Sequence, residues 1–120
     1  MKVIIAGSRD FNDYELLKKT CDKILINQKD IEIVSGGAKG ADALGERYAN
    51  ERRYGLKIFL ANWDEYKKKA GYLRNIKMSE YADALIAFWD GESRGTKHMI
   101  DIVTEKGLKT RIIRYGIQNK

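Results

Sequence analysis

Residues 31–42, with the sequence IEIVSGGAKGAD, combine the residue types that best suit an anion-binding loop. A short apolar run ends at Ser35, a helical pattern begins at Ala41, and between them lie Gly36, Gly37 and Gly40. Glycine lets the backbone approach a ligand closely, and the first turn of a helix presents unpaired N–H groups with a partial positive charge. The segment matches neither the dinucleotide fingerprint nor the Walker A sequence. It therefore predicts a phosphate-binding turn between a strand and a helix, with an ordinary structural turn as the alternative.

Three more segments place polar residues and glycine after predicted strands, at residues 7–9, 61–75 and 90–96. Convergent polar groups in a crevice are the usual sign of a binding site, so we expect these loops and the first one to form a single pocket. The predicted ligand-binding residues are Gly7, Ser8, Arg9, Ser35, Gly36, Gly37, Gly40, Asp42, Arg74, Asn75, Asp90, Ser93, Gly95 and Thr96. An aspartate that opens a helix is also a common cap, which is the alternative for Asp42.

Strands and helices alternate along the chain and must bring these loops together. Apolar periodicity predicts strands at residues 2–6, 31–35, 57–60, 84–89 and 109–115. Helices are predicted from a capping box at Asn12 and Glu15 to about residue 27, from Ala41 onward, over residues 72–81 after a break at Gly71, and from residue 97 to about Gly107. Five such units predict one domain over residues 1–120, an α/β Rossmann-like three-layer sandwich with a five-stranded parallel sheet. Ligands bind such sheets at the carboxyl ends of the strands, near the point where the strand order reverses.

Composition narrows the class of protein. The net charge of +6 and pI near 9.4 favour an anionic partner. One cysteine and one histidine exclude an internal disulfide and a Cys/His metal cluster, so we expect no metal and no cofactor. No apolar run approaches the roughly 20 residues that a membrane helix needs, and we expect a cytoplasmic protein without a membrane partner.

Four motifs in the same order as in a known family carry a resemblance that covers nearly the whole chain. They are Gly7-Ser8-Arg9-x-Phe11, Ser35-Gly36-Gly37-Ala38-x-Gly40-Ala41-Asp42, Ala70-Gly71-x-x-Arg74-Asn75-x-x-Met78 and Gly91-x-Ser93-x-Gly95-Thr96. They resemble the SLOG superfamily, above all its small YspA-like, YpsA-related branch. The resemblance implies a Rossmann-like fold that binds or processes nucleotide-derived ligands, including NAD-related and ADP-ribose-related molecules. More distant relatives are the lonely-guy phosphoribohydrolases and DNA-processing protein A.

One departure from the enzymatic relatives bears on catalysis. Lonely-guy enzymes carry an Arg-Lys pair and a P-G-G-x-G-T-x-x-E loop whose glutamate serves catalysis. Arg74 matches that arginine, whereas Asn75 replaces the lysine and Met99 falls at the position of the glutamate. A methionine cannot polarise water or stabilise an oxocarbenium ion. We therefore assign no catalytic residue, and Asp42, Asp90 and Glu92 are not convincing replacements.

The leading hypothesis is a protein that senses or sequesters a nucleotide-derived small molecule without cleaving it. Backbone N–H groups of residues 36–40 and 95–96 would hold phosphates, with Arg9 and Arg74 paired to them. Ser8, Ser35 and Asp42 would contact hydroxyl groups, and Trp63 or Trp89 would stack on a base. A side chain at Gly37 should then occupy space meant for the ligand. For the two arginines, surface ion pairs are the alternative.

Two other functions stay open. One is cleavage of a nucleotide N-glycosidic bond, which the missing glutamate disfavours. The other is binding of single-stranded nucleic acid through a basic groove with stacking aromatic residues. Its candidate residues are Lys67, Lys68, Lys69, Arg74 and Lys77 with Tyr66 and Tyr72. The resemblance to lonely-guy proteins, which complete their sites between subunits, further implies a homodimer.

Overall fold

Five parallel strands form one sheet in the computed structural model, which describes residues 1–116. The strands are β1 (Lys2–Gly7), β2 (Glu32–Ser35), β3 (Gly55–Ile58), β4 (Ala84–Trp89) and β5 (Lys109–Arg114). Their order across the sheet is β3-β2-β1-β4-β5. The order therefore reverses between β1 and β4, where a crevice is expected at the carboxyl ends of the strands. The predicted Rossmann-like α/β fold with a five-stranded parallel sheet is confirmed.

Helices cover both faces of this sheet. They are α1 (Tyr14–Leu25), α2 (Ala41–Arg52), the short α3 (Trp63–Tyr66), α4 (Ala70–Tyr81) and α5 (Arg94–Glu105), with a 3-10 turn at Lys67–Lys69. Successive side chains of a strand point to opposite faces, and β1 shows this directly. Val3 and Ile5 pack in the core under α1 and α2, whereas Ile4 and Ala6 pack in the core under α4 and α5. Across the described residues, no helix combines the length and hydropathy required to cross a bilayer.

Tertiary contacts shifted several predicted boundaries. Strand β3 covers residues 55–58 and not 57–60, because its pairing with β2 begins at Glu32 opposite Gly55. Helix α4 includes Gly71, predicted to precede the helix, because the buried Ala70 anchors the first turn in the core. Helix α5 begins at Arg94, so that Gly95 and Thr96 lie in its first turn and not in the preceding loop. Packing overrides local propensity in each of these places.

The loops after β1 and β2 touch each other at Gly40. Its φ of +76° is in the left-handed region, and a Cβ there would lie 2.4 Å from the carbonyl oxygen of Ser8. The N–H of Ala41 donates to that same carbonyl oxygen at 3.3 Å. Gly40 thus lets the start of α2 pack directly on the loop after β1.

Asp13, and not Asn12 as predicted, caps the N-terminus of α1. Its Oδ1 accepts a hydrogen bond from the N–H of Leu16 at 3.0 Å. We expect Asp13→Ala to lower the free energy of unfolding by about 1 kcal/mol, since that N–H loses its acceptor. Urea unfolding measures the change, with Asn12→Ala as the matched control. If both variants lowered the free energy of unfolding equally, the effect would not be specific to the Asp13 cap.

Candidate functional site

A cavity of about 480 Å³ opens at the carboxyl ends of β1 and β4. It collects residues from the four loops that the sequence singled out. Ten of the predicted ligand-binding residues line it: Gly7, Ser8, Arg9, Asp42, Arg74, Asn75, Asp90, Ser93, Gly95 and Thr96. Residues outside that predicted set also line the cavity, among them Ala6, Asp10, Ala38, Lys68, Tyr72, Met78 and Met99.

Ser35, Gly36, Gly37 and Gly40 do not line the cavity. Ser35 is fully buried, and its hydroxyl donates to Glu46 Oε2 at 2.6 Å while accepting from the N–H of Gly37 at 3.1 Å. A Cβ on Gly37 would lie 2.7 Å from Leu60 Cδ2. The expectation that a side chain at Gly37 would enter ligand space was therefore wrong, because that position faces β3 and the loop after it.

The glycine turn also offers fewer free N–H groups than predicted. The N–H of Gly37 is bound by Ser35, and the N–H of Ala38 donates to Asp42 Oδ2 at 3.2 Å. Both donors are consumed inside the chain, and a carboxylate stands where an anionic ligand was expected. The predicted phosphate cradle at residues 36–40 is to this extent wrong, because Ser35 and Asp42 compete for the same donors.

Asp42 is a buried carboxyl group within the cavity wall. Only 5% of its surface is exposed. Burial raises the pKa of this group to about 6, and the N–H of Ala38 and the charge of Arg74 oppose the rise. Gly36 makes the arrangement possible, since a Cβ there would lie 2.8 Å from Asp42 Oδ2 and 3.0 Å from Arg74 Nε.

Arg74 connects α4 to the glycine turn. Its Nη1 donates to the carbonyl oxygen of Gly36 at 2.9 Å, and its Nη2 to Asn75 Oδ1 at 3.5 Å. Burial lowers the pKa of the guanidinium, with Asp42 acting in the opposite direction. The Nε atom is buried and lacks a hydrogen-bond partner among residues 1–116. Arg74 therefore binds the glycine turn through its guanidinium and also forms part of the cavity lining.

Ser8 and Asp90 fix the floor of the cavity between β1 and β4. The Ser8 hydroxyl is buried and accepts from the N–H of Asp90 at 3.2 Å. Asp90 Oδ1 in turn accepts from the N–H groups of Glu92 and Ser93, each at 2.8 Å, and these bonds lower the pKa of Asp90. Both side chains thus hold the loop that leads into α5, which the sequence interpretation of Ser8 as a hydroxyl-binding residue did not include.

The exposed cations and aromatic rings lie on the outer wall. Arg9 and Lys68 are exposed cavity residues, and so are Trp63 and Tyr72, with 49% and 43% of their surfaces accessible. Trp89 is not part of the lining, and its indole N–H donates to the carbonyl oxygen of Ser93 at 3.1 Å. Of the two tryptophans considered for stacking, Trp63 is the one at the cavity. The spacing of Tyr72 three residues before Asn75 was the signal that could have placed this ring there.

Comparison with known proteins agrees with this fold and places the chain in a family. Residues 1–66 match the family described as "YspA, cpYpsA-related SLOG family". The Gene 61 protein of Mycobacterium phage D29 is 34% identical over 122 residues, covering 96% of each chain. The chain therefore belongs to the YspA-related SLOG family, as the resemblance implied. Membership of this family supports a function in binding or processing nucleotide-related molecules, without specifying the ligand or the mechanism.

Two solved structures share the fold. DNA processing protein A (DprA) from Streptococcus pneumoniae superimposes with a TM-score of 0.74 at 19% identity, and TM1055, a structural genomics target, with 0.66 at 16%. The matches cover 98% and 91% of this chain. They cover 52% of DprA and 71% of TM1055, so this chain spans about half the length of the former.

The raised pKa of Asp42 predicts a pH-dependent contribution to stability. The folded protein binds this proton more tightly than the unfolded chain, whose pKa is 3.8, so stability is lost as the pH rises through about 6. Asp42→Asn stays neutral. Its free energy of unfolding relative to wild type should therefore increase by about 2 kcal/mol between about pH 4 and pH 7. Urea unfolding at both pH values measures this, with Asp64→Asn on α3 as the control for net charge. The same difference in free energy of unfolding between Asp42→Asn and wild type at both pH values would contradict this prediction.

Proposed function

We propose that the cavity binds a nucleotide-derived small molecule, of the NAD, ADP-ribose or nucleoside phosphate type, and does not cleave it. The observation that carries the proposal is the joint presence of two exposed cations and two exposed aromatic rings around one cavity. Arg9 and Lys68 are the cations, and Trp63 and Tyr72 are the rings. A nucleotide offers the matching groups, a phosphate and a flat base. The site lies where the strand order reverses, as it does for nucleotide sites in other α/β sheets.

The phosphate would bind on the α5 side of the cavity. Gly95 lies in the first turn of α5, and a Cβ there would have no neighbour within 4 Å. The N-terminal helix dipole of α5 favours an anion, and Arg9 supplies a full positive charge in the same cavity lining. The glycine turn after β2 is the poorer place, since Asp42 already takes the Ala38 N–H. Base stacking on Trp63 or Tyr72 would add apolar contact at the mouth.

The absence of cleavage is proposed from the residues at the cavity floor. Met99 lies there with 2% exposure, at the position where the lonely-guy pattern has its catalytic glutamate. Asp90 is held by two backbone N–H groups, so its carboxylate is committed to the loop. Neither residue is placed to exchange a proton with a bound nucleotide.

Thermal-shift titration with AMP, NAD and ADP-ribose tests the binding proposal. A ligand at 100 times its Kd should stabilise the protein by about 2.7 kcal/mol. Arg9→Ala should weaken binding by about 1.5 kcal/mol, because a charge-assisted contact with phosphate is lost. Arg9 is preferable to Arg74 for this purpose, since Arg74 also donates to Gly36.

Arg111→Ala is the matched control, because Arg111 is an exposed arginine on the edge strand β5 and lies outside the cavity lining. Its affinity for each nucleotide should equal that of wild type. An equal loss of affinity in both variants would show that the effect comes from net charge alone and not from a contact of Arg9. No stabilisation of wild type by any of the three nucleotides would contradict the proposal.

A second function, cleavage of the N-glycosidic bond, has one specific observation in its favour. The buried Asp42 carboxyl has a pKa of about 6 and lines the cavity, and such groups often act as general acids. Prolonged incubation with AMP and NAD, followed by chromatography for free adenine or nicotinamide, separates the two functions. Release that is lost in Asp42→Asn and kept in Glu92→Gln would establish cleavage. We expect both nucleotides to be returned unchanged.

Two expectations about partners stay predictions. A homodimer, implied by the lonely-guy resemblance, is to be checked by sedimentation velocity with and without nucleotide.

Binding of single-stranded nucleic acid is supported by the exposed rings of Trp63 and Tyr66 beside Lys67–Lys69, and by the fold shared with a DNA processing protein. A steep dependence of oligonucleotide affinity on salt concentration would indicate phosphate contacts.

A further inference from the structure

His98, the only histidine of the chain, lies in α5 immediately behind the cavity wall. It is not itself a lining residue, yet it contacts two residues that are. Its Nδ1 lies 3.2 Å from Asn75 Nδ2, and its ring centroid lies 4.6 Å from that of Tyr72. Both neighbours belong to α4, so the imidazole joins the two helices that flank the site.

The surrounding hydrogen bonds determine the tautomer of the neutral His98 ring. Asn75 Nδ2 donates to the carbonyl oxygen of Gly95 at 3.1 Å. A carbonyl oxygen only accepts, so the NH₂ group of Asn75, and not its oxygen, must face both Gly95 and His98. Asn75 Oδ1 meanwhile accepts from Arg74 Nη2. Nδ1 of His98 must therefore be the acceptor, which places the proton of the neutral ring on Nε2.

Protonation of His98 would oppose this arrangement. An imidazolium carries a hydrogen on both nitrogens, so Nδ1–H would point at the NH₂ group of Asn75 and the hydrogen bond would be lost. Asn75 is 4% exposed, so its freed N–H could not turn to water without a shift of α4 against α5.

The groups that face the ring are few. On α4 they are Tyr72 and Asn75, with Arg74 on the far side of Asn75. On α5 itself, Arg94 and Asp101 lie about one turn before and after it. The strands β4 and β5 lie on the other side of α5, where its buried face is formed by Met99, Ile100 and Val103.

We propose that His98 is a positioning residue of the ligand site: its neutral imidazole holds Asn75 and Tyr72 in their places on the cavity wall, and its protonation releases them and weakens ligand binding. The ligand part of this inference rests on the proposed nucleotide-binding function. The coupling between His98, Asn75 and Tyr72 does not.

The pH range follows from the surroundings of the ring. Burial lowers the pKa of His98 below its ordinary value of 6.5, and the negative charge of Asp101 acts in the opposite direction. His98 is therefore neutral at physiological pH, and affinity should fall only at a pH below the ordinary histidine value of 6.5. The loss of one hydrogen bond corresponds to a decrease in affinity of about two- to tenfold.

NMR without any ligand tests the coupling. Because the chain has one histidine, its imidazole signals are assigned without ambiguity. At about pH 7.5 the nitrogen chemical shifts should show the Nε2–H tautomer. The side-chain NH₂ signals of Asn75 and the ring signals of Tyr72 should then shift with the same midpoint as the histidine. Titration of His98 that leaves both neighbours unchanged would overturn the proposal.

AMP affinity as a function of pH tests the effect on the site. His98→Asn places an oxygen near the position of Nδ1 and does not titrate, so its affinity should stay within about twofold of wild type at neutral pH and lack the histidine-dependent fall. His98→Phe keeps a ring against Tyr72 but removes the acceptor, and it should bind about two- to tenfold more weakly at every pH.

Asp101→Asn gives the sharpest control. Asp101 is exposed on α5, pairs with Lys97 at 2.8 Å, and lies outside the cavity lining. Its removal should shift the fall in affinity to lower pH and leave the affinity at neutral pH unchanged. Asp42 also titrates in this range, and the difference between wild type and His98→Asn removes its contribution.

The possible failures are distinguishable. If AMP, NAD and ADP-ribose all fail to bind at any pH while the NMR signals of Asn75 and Tyr72 still follow His98, the proposed nucleotide function fails and the coupling stands. If AMP binds and His98→Asn retains the full decrease in affinity at low pH, His98 has no positioning role.

Discussion

The backbone and hydroxyl of Ser8 hold together the three loops on which the candidate site depends. Its N–H donates to the carbonyl oxygen of Phe88, its carbonyl oxygen accepts from the N–H of Ala41, and its hydroxyl accepts from the N–H of Asp90. One buried residue after β1 thus fixes both the start of α2 and the loop before α5. Parallel strands end in separate loops that share no hydrogen bonds of their own, so a crevice between them needs such a cross-link to keep its shape. Gly40 permits it, because a side chain there would strike the Ser8 carbonyl.

The charges of the site follow from a competition for backbone donors. A glycine turn before a helix suits any anion, and here the anion is a side chain of the protein, Asp42. That carboxylate is buried and lies near Arg74, whose guanidinium donates a hydrogen bond to the Gly36 carbonyl oxygen. The turn is therefore electrostatically satisfied before any ligand arrives. The exposed cations of the cavity lining are Arg9, whose backbone lies against Gly40, and Lys68. Neither side chain forms an ion pair among residues 1–116, so both are open to an anion in the cavity.

The fold was predictable from the sequence to a large extent, and the function of individual residues much less so. Apolar runs of four to six residues alternating with helical patterns specify βα units, and the handedness of their crossovers leaves few arrangements of a parallel sheet. Local patterns could not decide between Asn12 and Asp13 as a cap, since both side chains suit that position and only the geometry of the chain chooses. Nor could they show that the Ser35 hydroxyl would be turned toward Glu46, because Glu46 reaches it through the packing of α2 on β2. Tyr72 and Lys68 were considered only for a nucleic-acid groove and not for the small-molecule pocket, because the start of α4 that brings them to the cavity is set by the burial of Ala70.

The exchange of charged residues for neutral ones explains why the interior of this site is organised by hydrogen bonds. Where the lonely-guy pattern has a lysine and a glutamate, this chain has Asn75 and Met99, both nearly fully buried. An ammonium group there would have needed a carboxylate or water, whereas the amide of Asn75 is satisfied by Gly95, His98 and Arg74 together. Met99 needs no partner at all and contributes to the core under β4. The two neutral residues therefore avoid the cost of burying charges, and they leave a wall whose shape depends on the orientation of one amide.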